Sequence, residues 1–277
     1  MESVLIIGCG YVGLPLAKGW IEKGFRVYGT TRRVEKVDLL RREGIEPIVV
    51  DLLKPPFRLP QADWVYFLVS GSQEETLPRA MTHTIAALLE NRPSRFIYTS
   101  STGLYGDYSN GWVDESSLRR AKHPAGARLI ETEDMLFTAV EEAQFPGVIV
   151  RLSGIYGPNR IPGRDQVLKR GTLRGRPESY LNLIHLDDLI PLLLATAPLS
   201  KTGECYLFSD DHPVRRGDYY AFLAKRLGIS DFAPLWNSSD EPAAGRRCRN
   251  QKMKEHFQID LKYPSYREGL GALLPVG

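Results

Sequence analysis

Three glycines near the start of the chain have the spacing that brings a main chain close to a phosphate group. They lie in the run Gly8–Gly13, G-C-G-Y-V-G, directly after the apolar residues Val4–Ile7. In such a turn the first Gly permits a tight bend, the second removes a Cβ that would block a pyrophosphate, and the third lets a helix pack on the strand. The helix N-terminus adds free N–H groups. The residues predicted to bind a dinucleotide here are Gly8, Gly10, Tyr11, Val12 and Gly13.

A second run whose side chains could bind a cofactor, Thr30–Arg33, follows the predicted strand 26–29. An NAD site places an Asp or Glu at this point to bind the ribose 2′-hydroxyl, and the run contains neither. Thr31, Arg32 and Arg33 instead offer a hydroxyl and two permanently charged guanidinium groups, which suit a 2′-phosphate. We therefore expect NADP, with NAD as the alternative cofactor. A solvated basic turn that leads into a helix is the other interpretation of this run.

Later strand ends supply further predicted cofactor contacts. Asp51 follows the third predicted strand, where it accepts a hydrogen bond from an adenine amino group or caps the loop. After the fourth strand the small residues Ser70 and Gly71 leave room for the ribose and the nicotinamide. The other residues that we assign to this part of the cofactor site are Leu52, Val69 and Ser100.

The elements that would position these residues alternate between strands and helices through residue 100. The predicted elements are strands 4–7, 26–29, 47–50, 62–69 and 95–99, and helices 14–23, 35–42 and 76–91. This alternation predicts right-handed βαβ units, and hence an α/β fold with a doubly wound parallel sheet, the Rossmann fold. A purely structural glycine turn is the alternative only if this sheet does not form.

The chain is long enough for a Rossmann domain and a smaller lobe. No linker rich in Gly, Ser or Pro divides it, and the composition changes at residues 159–180, which carry six basic residues. We predict a discontinuous arrangement: residues 1–158 and 181–210 form the NAD(P)-binding Rossmann domain, and residues 159–180 and 211–277 form a smaller C-terminal substrate lobe.

Composition restricts the class of protein. The 277 residues are 43% hydrophobic and 25% charged, with a formal net charge of +3, which is ordinary for a globular protein and does not call for nucleic acid. No apolar run reaches the roughly 20 residues of a membrane span. The three cysteines are odd in number and far apart, which favours the cytoplasm over a disulfide framework. The five histidines are dispersed, so we expect no metal site.

Four runs resemble motifs of the extended short-chain dehydrogenase/reductase superfamily, which includes NAD-dependent nucleotide-sugar epimerases and dehydratases. Ser100–Asp107 resembles its S-S-x-x-x-Y-G run, and Arg151–Pro158 resembles its R-x-x-x-x-Y-G-P segment. Asn182–Asp188 resembles its N-x-I-H-x-x-D stretch, and Tyr263–Leu270 resembles its C-terminal pattern. The resemblance covers nearly the whole chain. It implies an oxidoreductase with a small-molecule substrate, and a homodimer.

The resemblance also implies roles for individual residues. Ser101 would polarise the substrate oxygen, and Tyr105 takes the place of the Tyr in the same run. The residues implied to lie near the nicotinamide are Leu152, Gly154 and Ile155. The residues implied to contact substrate are Thr102, Tyr156, Asn159, Arg160 and His185.

One family motif has no counterpart. The family's Tyr-x-x-x-Lys pair would place a phenol and a cation on one helix face, where the cation lowers the pKa of the phenol. If Glu133 and Leu136 take the family's E-x-x-L places, Ala125 and Leu129 stand where the Tyr and the Lys belong. The chain therefore resembles a divergent subgroup without the pair.

Two functions remain open at this point. The first is an NAD(P)(H)-dependent oxidoreductase or epimerase/dehydratase-like enzyme that acts on a sugar-like, nucleotide-linked or carbonyl substrate. Its proton donor would be Tyr105, His123, Lys122 or Tyr156, although His123 beside Pro124 also reads as an exposed loop residue. The second is a non-catalytic NADP(H)-binding redox sensor or regulatory protein.

Basic residues in the second lobe have two interpretations. Arginines and lysines between Asn159 and Tyr180, and the pair Arg246–Arg247, either face a phosphorylated or nucleotide-linked substrate or are simply solvated. Both interpretations stay open from the sequence.

Overall fold

A computed structural model of the chain describes residues 1–69, 76–121, 123–237 and 245–274. The predicted site residues Ser70, Gly71 and Lys122 lie outside these ranges. The strands, numbered along the chain, are β1 Ser3–Ile7, β2 Arg26–Thr31, β3 Glu46–Val49, β4 Trp64–Phe67, β5 Arg95–Ser101, β6 Trp112–Val113, β7 Gly147–Leu152, β8 Gly154–Tyr156, β9 Leu173–Arg174, β10 Tyr180–Leu181, β11 Leu183–His185, β12 Cys205–Phe208, β13 Val214–Arg215, β14 Trp236–Asn237 and β15 Arg247–Cys248.

Helices follow most strands of the first half of the chain. They are α1 Gly13–Glu22, α2 Val37–Arg42, α3 Thr76–Leu88, α4 Pro124–Ala143, α5 Arg164–Leu168, α6 Leu186–Leu199, α7 Arg216–Arg226, α8 Gln251–Phe257 and α9 Tyr266–Leu273, with single 3-10 turns at Val34–Lys36 and Thr102–Tyr105. Among the helices of the described residues, none has the length and apolarity that spanning a bilayer requires.

Within the described residues, seven strands form one sheet in the order β12-β7-β5-β4-β1-β2-β3. The five strands from β3 to β5 pair in parallel, with β1 between β2 and β4. The order reverses at β1, which is the topological switch point of a doubly wound sheet. The predicted α/β class and Rossmann fold are confirmed.

Apolar residues on both faces of the central strands hold this sheet. The side chains of Val4–Ile7 are fully buried, as are Val65 and Phe67 of the neighbouring strand β4. Burial on both faces explains why β1 is a continuous apolar run and not an alternating one. The sheet therefore fixes the carboxyl end of β1, where the glycine run begins.

The chain divides into two compact units, each built from several segments. Unit 1 comprises Met1–Ser101, His123–Arg151 and Ile190–Tyr206, and unit 2 comprises Thr102–Lys122, Leu152–Leu189 and Leu207–Gly277. Residues 102–121, 152–158, 181–189 and 207–210 thus group with unit 2, although the predicted division assigned them to the Rossmann domain. The reason for the first three segments is that they pair with others of unit 2 in small two-stranded sheets, β6 with β15, β8 with β11 and β10 with β13.

Unit 2 has a hydrophobic core of its own that is rich in aromatic rings. Tyr156 and Tyr219 are fully buried in it, together with Leu183, Leu223 and Leu270. These residues come from four elements, β8, β11, α7 and α9, which pack together in this core.

Candidate functional site

Gly8, the first glycine of the turn, packs against the main chain just after β4, a neighbour of β1 in the sheet. Gly8 has a φ of +107°, which favours glycine, and a Cβ there would lie 3.2 Å from the carbonyl group of Leu68. Its N–H donates to Oγ1 of Thr30 at 3.1 Å. The turn therefore begins at the carboxyl end of β1, between β2 and β4, and only glycine fits there without strain.

The second and third glycines have opposite surroundings. A Cβ at Gly13 would overlap the carbonyl oxygen of Gly8, whereas a Cβ at Gly10 would find nothing within 4 Å. The N–H of Gly10 donates to Gly8 O at 2.8 Å, which closes the turn. Helix α1 then begins at Gly13, and Val12 provides no side-chain cap. The turn is closed beneath the helix and open at Gly10, and this shape fits a pyrophosphate.

The basic run after β2 is exposed. Thr31 ends β2, and its Oγ1 accepts a hydrogen bond from Arg33 N at 3.1 Å, which holds the turn. Arg32 and Arg33 are exposed, and within the described residues neither guanidinium group has a carboxylate partner. Two exposed positive charges therefore follow β2, and their assignment to a 2′-phosphate stays a prediction.

Asp51 and Leu52 lie in the loop after β3. Asp51 Oδ1 accepts a hydrogen bond from Leu53 N at 3.1 Å, so the carboxylate stabilises its own turn. The Leu52 side chain is buried in the core of unit 1. Val69, after β4, is half-buried. The assignment of these three residues to the cofactor site stays a prediction.

The predicted catalytic serine ends the central strand β5. Ser100 is buried and Ser101 is half-buried. Beside β5, the guanidinium group of Arg151 in β7 forms a buried, two-pronged ion pair with Glu133 of α4, with Nε–Oε1 3.1 Å and Nη2–Oε2 2.8 Å. This pair joins α4 to the sheet. Glu133 therefore has a structural role in unit 1.

The helix expected to carry an acid/base pair offers neither residue. α4, Pro124–Ala143, contains no Tyr and no Lys. Ala125 and Leu129, which take the places of the family's Tyr and Lys, are exposed and half-buried, respectively. His123 precedes the helix and is exposed, and its carbonyl oxygen accepts hydrogen bonds from Gly126 N and Ala127 N.

The two tyrosines predicted as proton donors are buried in unit 2. The hydroxyl of Tyr105 donates to Asp114 O at 2.7 Å, and its side chain has no exposed surface. Tyr156 is likewise fully buried, and its hydroxyl lies 3.4 Å from Ser265 O. Burial raises the pKa of Tyr156, and the nearby carboxylate of Asp210 raises it further. The Tyr156 phenol therefore does not resemble a proton donor poised near neutral pH.

Several residues implied as nicotinamide or substrate contacts also lie in unit 2. Leu152 and Thr102 are buried, Ile155 is half-buried, and Gly154, Asn159 and Arg160 are exposed. His185 is buried, and its Nδ1 accepts a hydrogen bond from Asp187 N at 3.1 Å. Burial lowers the pKa of His185. These contacts stay predictions.

The sequence did not single out one cluster of unit 2. Asn182 Nδ2 donates to Arg246 O at 3.0 Å, and Asn182 Oδ1 accepts from Cys248 N at 2.6 Å. Nη1 of Arg246 donates to Gly106 O at 3.2 Å. The basic pair Arg246–Arg247 was visible in the sequence, but the hydrogen bonds of the half-buried Arg246 reach residues far away in the chain.

The reversal of strand order at β1, the glycine turn at that point and the uncapped start of α1 define a dinucleotide-binding Rossmann protein. The profile of the NAD dependent epimerase/dehydratase family matches residues 4–174. The chain belongs to that family. Membership confirms the predicted resemblance and supports an enzyme of this class with an NAD-type cofactor.

Relatives of known sequence support this placement. Protein YeeZ of Escherichia coli strain K12 is 29% identical over 279 residues, which cover 95% of this chain and 97% of YeeZ. The dTDP-D-glucose 4,6-dehydratase of Homo sapiens is 28% identical over 134 residues, 45% of this chain and 38% of that protein. The first similarity is full-length and the second is partial.

Solved structures agree over nearly the whole chain. A functionally unknown conserved protein from Silicibacter pomeroyi has a TM-score of 0.83 at 27% identity and covers 99% of this chain and 98% of its own. UDP-glucuronic acid 4-epimerase from Bacillus cereus, in complex with UDP-glucuronic acid and NAD, has a TM-score of 0.82 at 20% identity, with coverage of 99% and 98%. The second likeness shows the fold alone.

Proposed function

We propose that the protein is an NAD(P)(H)-dependent oxidoreductase of the epimerase/dehydratase type that acts on a sugar-like, nucleotide-linked or carbonyl small molecule. The observation that carries this proposal is the glycine turn, which is closed at Gly13 and open at Gly10. Family membership adds the class of reaction, and relatives named as a dTDP-glucose dehydratase and a UDP-glucuronic acid epimerase support the class of substrate. A homodimer, as the resemblance implies, stays a prediction.

NADP is the proposed preferred cofactor. Gly8–Gly13 and the start of α1 would hold the pyrophosphate, while Arg32 and Arg33 would bind a 2′-phosphate in two-pronged fashion. The support is the exposure of both guanidinium groups and the lack of a carboxylate partner for either within the described residues. When bound, a nicotinamide supplies hydride transfer.

The protein's own part in the chemistry is to orient the substrate oxygen and to move a proton. We assign the first role to the Ser101 hydroxyl at the end of β5, where ligands bind in open α/β sheets. The proton donor has to be other than a tyrosine of α4, since α4 has none. Of the described candidates, Tyr105 and Tyr156 are buried and His123 is exposed. His123 is therefore the candidate that we would substitute first.

The state of the candidate proton donors favours a second function. If no titratable group reaches the substrate, the protein binds NADP(H) without turnover and acts as a redox sensor or regulatory protein. The two phenols fixed in unit 2 and the lack of Tyr and Lys in α4 support this alternative.

The deciding experiment is isotope transfer. The protein is incubated with NADPH that carries deuterium at C4 and with a panel of sugar nucleotides and carbonyl compounds, and products are analysed by mass spectrometry. The enzyme proposal predicts deuterium in one class of compound and at least a tenfold loss of rate in Ser101→Ala, since hydrogen bonds to the reacting oxygen carry a large share of the rate. Epimerisation and dehydration are redox-neutral overall and can return the hydride to the same molecule, so products formed with the oxidised cofactor are also analysed for inverted configuration and loss of water. Tight NADPH binding with neither deuterium transfer nor such a product would favour the sensor.

A further inference from the structure

We propose that His83 is a positioning residue for the adenine end of the cofactor, because it orients the carboxylate of Asp51 that would accept a hydrogen bond from the adenine amino group. The inference rests on the proposed function, which supplies the dinucleotide, and on the predicted contact of Asp51 with adenine. The connection from His83 to Asp51 runs through a single peptide group. It leads us to expect a preference for adenine over hypoxanthine, a base without that amino group.

The first step of this connection is a hydrogen bond between a helix and a distant loop. Nδ1 of His83, in α3, lies 2.7 Å from the carbonyl oxygen of Leu52, in the loop after β3. Because a carbonyl oxygen only accepts, Nδ1 carries the hydrogen and donates it. Strands β1 and β2 lie between β3 and β4 in the sheet. The bond therefore joins parts of unit 1 that the pairing of strands leaves apart.

The same peptide group holds the carboxylate of Asp51. The oxygen that binds His83 and the N–H of Leu53 belong to one planar group, and in its trans form they point in opposite directions. Leu53 N donates to Asp51 Oδ1 at 3.1 Å. The direction of the Leu52 carbonyl group therefore sets the direction of the N–H that binds the carboxylate. Hydrogen bonds in series also polarise one another, which strengthens both.

The rest of this loop is held by other contacts, so His83 mainly decides the orientation of one peptide group. The Leu52 side chain is buried in the core of unit 1. Lys54 N donates to Asp51 O at 3.0 Å, which closes a tight turn. In such a turn the central peptide group, here between Leu52 and Leu53, has two orientations, and these distinguish type I from type II turns. The imidazole of His83 favours the orientation in which Leu53 N faces the carboxylate.

Asp51 keeps an oxygen accessible to a ligand. Its side chain is 34% exposed, and its Oδ2 lies 3.7 Å from Nζ of Lys54, whose side chain is 82% exposed. An exposed ion pair of this kind contributes little. Asp51 also follows β3 at the edge formed by the carboxyl ends of the parallel strands, where ligands bind in open α/β sheets. Because a carboxylate only accepts, it fits the amino group of adenine and not the carbonyl group of hypoxanthine.

The test compares NADPH with its deamino analogue, in which hypoxanthine replaces adenine. Calorimetry on the whole chain gives the affinity for each dinucleotide. We expect the wild type to bind NADPH about tenfold more tightly than the analogue, because a site built to accept from a donor discriminates against a ligand without it. His83→Leu should lose this preference: it should bind NADPH about tenfold more weakly, and the analogue at least as tightly as the wild type does.

Two further variants control for the substitution itself. His83→Asn places an amide N–H near the position of Nδ1 and should keep the preference of the wild type. Thr82→Leu changes an exposed neighbour on α3 and should keep it too. The free energy of unfolding is measured for every variant by urea titration. A general loss of stability in His83→Leu would weaken the binding of both dinucleotides, whereas the proposed role weakens the binding of NADPH alone.

A double-mutant cycle tests whether His83 acts through Asp51. Asp51→Ala should abolish the preference, and adding His83→Leu to it should weaken NADPH binding no further. The proposal is overturned if the two losses add, if His83→Leu binds NADPH as the wild type does, or if it weakens both dinucleotides equally. A wild type that binds the two dinucleotides equally well would overturn this role and leave the proposed function standing. A wild type that binds neither would refute the proposed function and this role with it.

Discussion

A Cβ on Gly13 would overlap the carbonyl oxygen of Gly8, so these two residues can approach only as glycines in the closed turn. Gly13→Ala should therefore lower both the free energy of unfolding and NADPH affinity. Gly10→Ala is the matched control, because its Cβ would meet no protein atom within 4 Å. We expect it to keep the stability of the wild type and to lose NADPH affinity by tenfold or more, since the methyl group takes the place of a phosphate. Denaturant titration and fluorescence binding measure the two effects, and normal NADPH binding by Gly10→Ala would refute the assignment.

Cofactor preference depends on two exposed guanidinium groups. The double variant Arg32→Gln/Arg33→Gln should bind NADPH about tenfold to a hundredfold more weakly and bind NADH as the wild type does, because only NADPH carries the 2′-phosphate. The control is Arg42→Gln, which makes the same change at another exposed arginine, at the end of α2. If the wild type binds NADH and NADPH equally, the preference for NADP is wrong.

The buried pair Glu133–Arg151 should dominate the stability of unit 1. Glu133→Gln removes the carboxylate that binds the buried guanidinium group of Arg151, which we expect to cost about 3–5 kcal/mol of the free energy of unfolding. The double variant Glu133→Leu/Arg151→Met removes both charges and should recover most of that loss. The exposed pair Arg26–Glu46 offers a control, and Glu46→Gln should change stability little. Urea titration would contradict us if the double variant were less stable than Glu133→Gln.

His185 should make stability depend on pH in one direction. In the folded protein burial lowers the pKa of His185, and the charge of Lys262 lowers it further. The charges of Asp187 and Asp188 raise this pKa but do not outweigh the effect of burial. In the unfolded chain the pKa is about 6.5. Below that value the unfolded state binds the proton more tightly, so stability from neutral His185 is present above about pH 6.5 and is lost as the pH falls.

Urea titrations between pH 8 and pH 5 on the wild type and His185→Gln measure this contribution. The stability advantage of the wild type should shrink towards the acid end. His123→Gln makes the same change at an exposed position and controls for the substitution itself. A wild-type advantage that stays constant over the range would mean that His185 does not titrate with folding.

Two of the three thiols should be inert. Burial raises the pKa of Cys9 and that of Cys248 to about 12 each, and the thiolate is the reactive form. Ellman's reagent at pH 7.5 should therefore label at most one thiol, Cys205, in the folded protein, and all three after denaturation. Rapid labelling of Cys9 would indicate that the glycine turn opens in solution.

The central sheet could be predicted closely because its signal is local. The apolar run before Gly8 marks β1 to within one residue, and the alternation of strands and helices predicts a doubly wound parallel sheet. Strand ends were less predictable, since pairing decides them. β4 was predicted over 62–69 but spans only Trp64–Phe67, the four residues that pair with Val4–Ile7. Glu46 belongs to β3 because it lies opposite Tyr28 in the parallel pairing with β2, and its carboxylate accepts a hydrogen bond from the guanidinium group of Arg26.

The candidate site divides in the same way. The shape of the turn follows from glycine spacing, so its residues could be named from the sequence. The state of Tyr105 could not, because its hydroxyl is bound by Asp114 O in a loop with no motif. Arg246 is the clearest case, since a pair of arginines in the sequence does not show whether its members are solvated or hydrogen-bonded within the fold. Only the long-range contacts with Asn182 and Gly106 distinguish the two.

The discontinuous course of unit 1 has a consequence for biosynthesis. Its last segment, Ile190–Tyr206, includes the start of β12, and Ile149 of β7 donates to Glu204 O just before that strand. A ribosome must therefore release the chain as far as Phe208 before the sheet gains the whole of this last strand. Until then β7 is an edge strand whose outer main-chain groups are not paired with β12. Such an edge promotes aggregation of a nascent chain or its binding by chaperones.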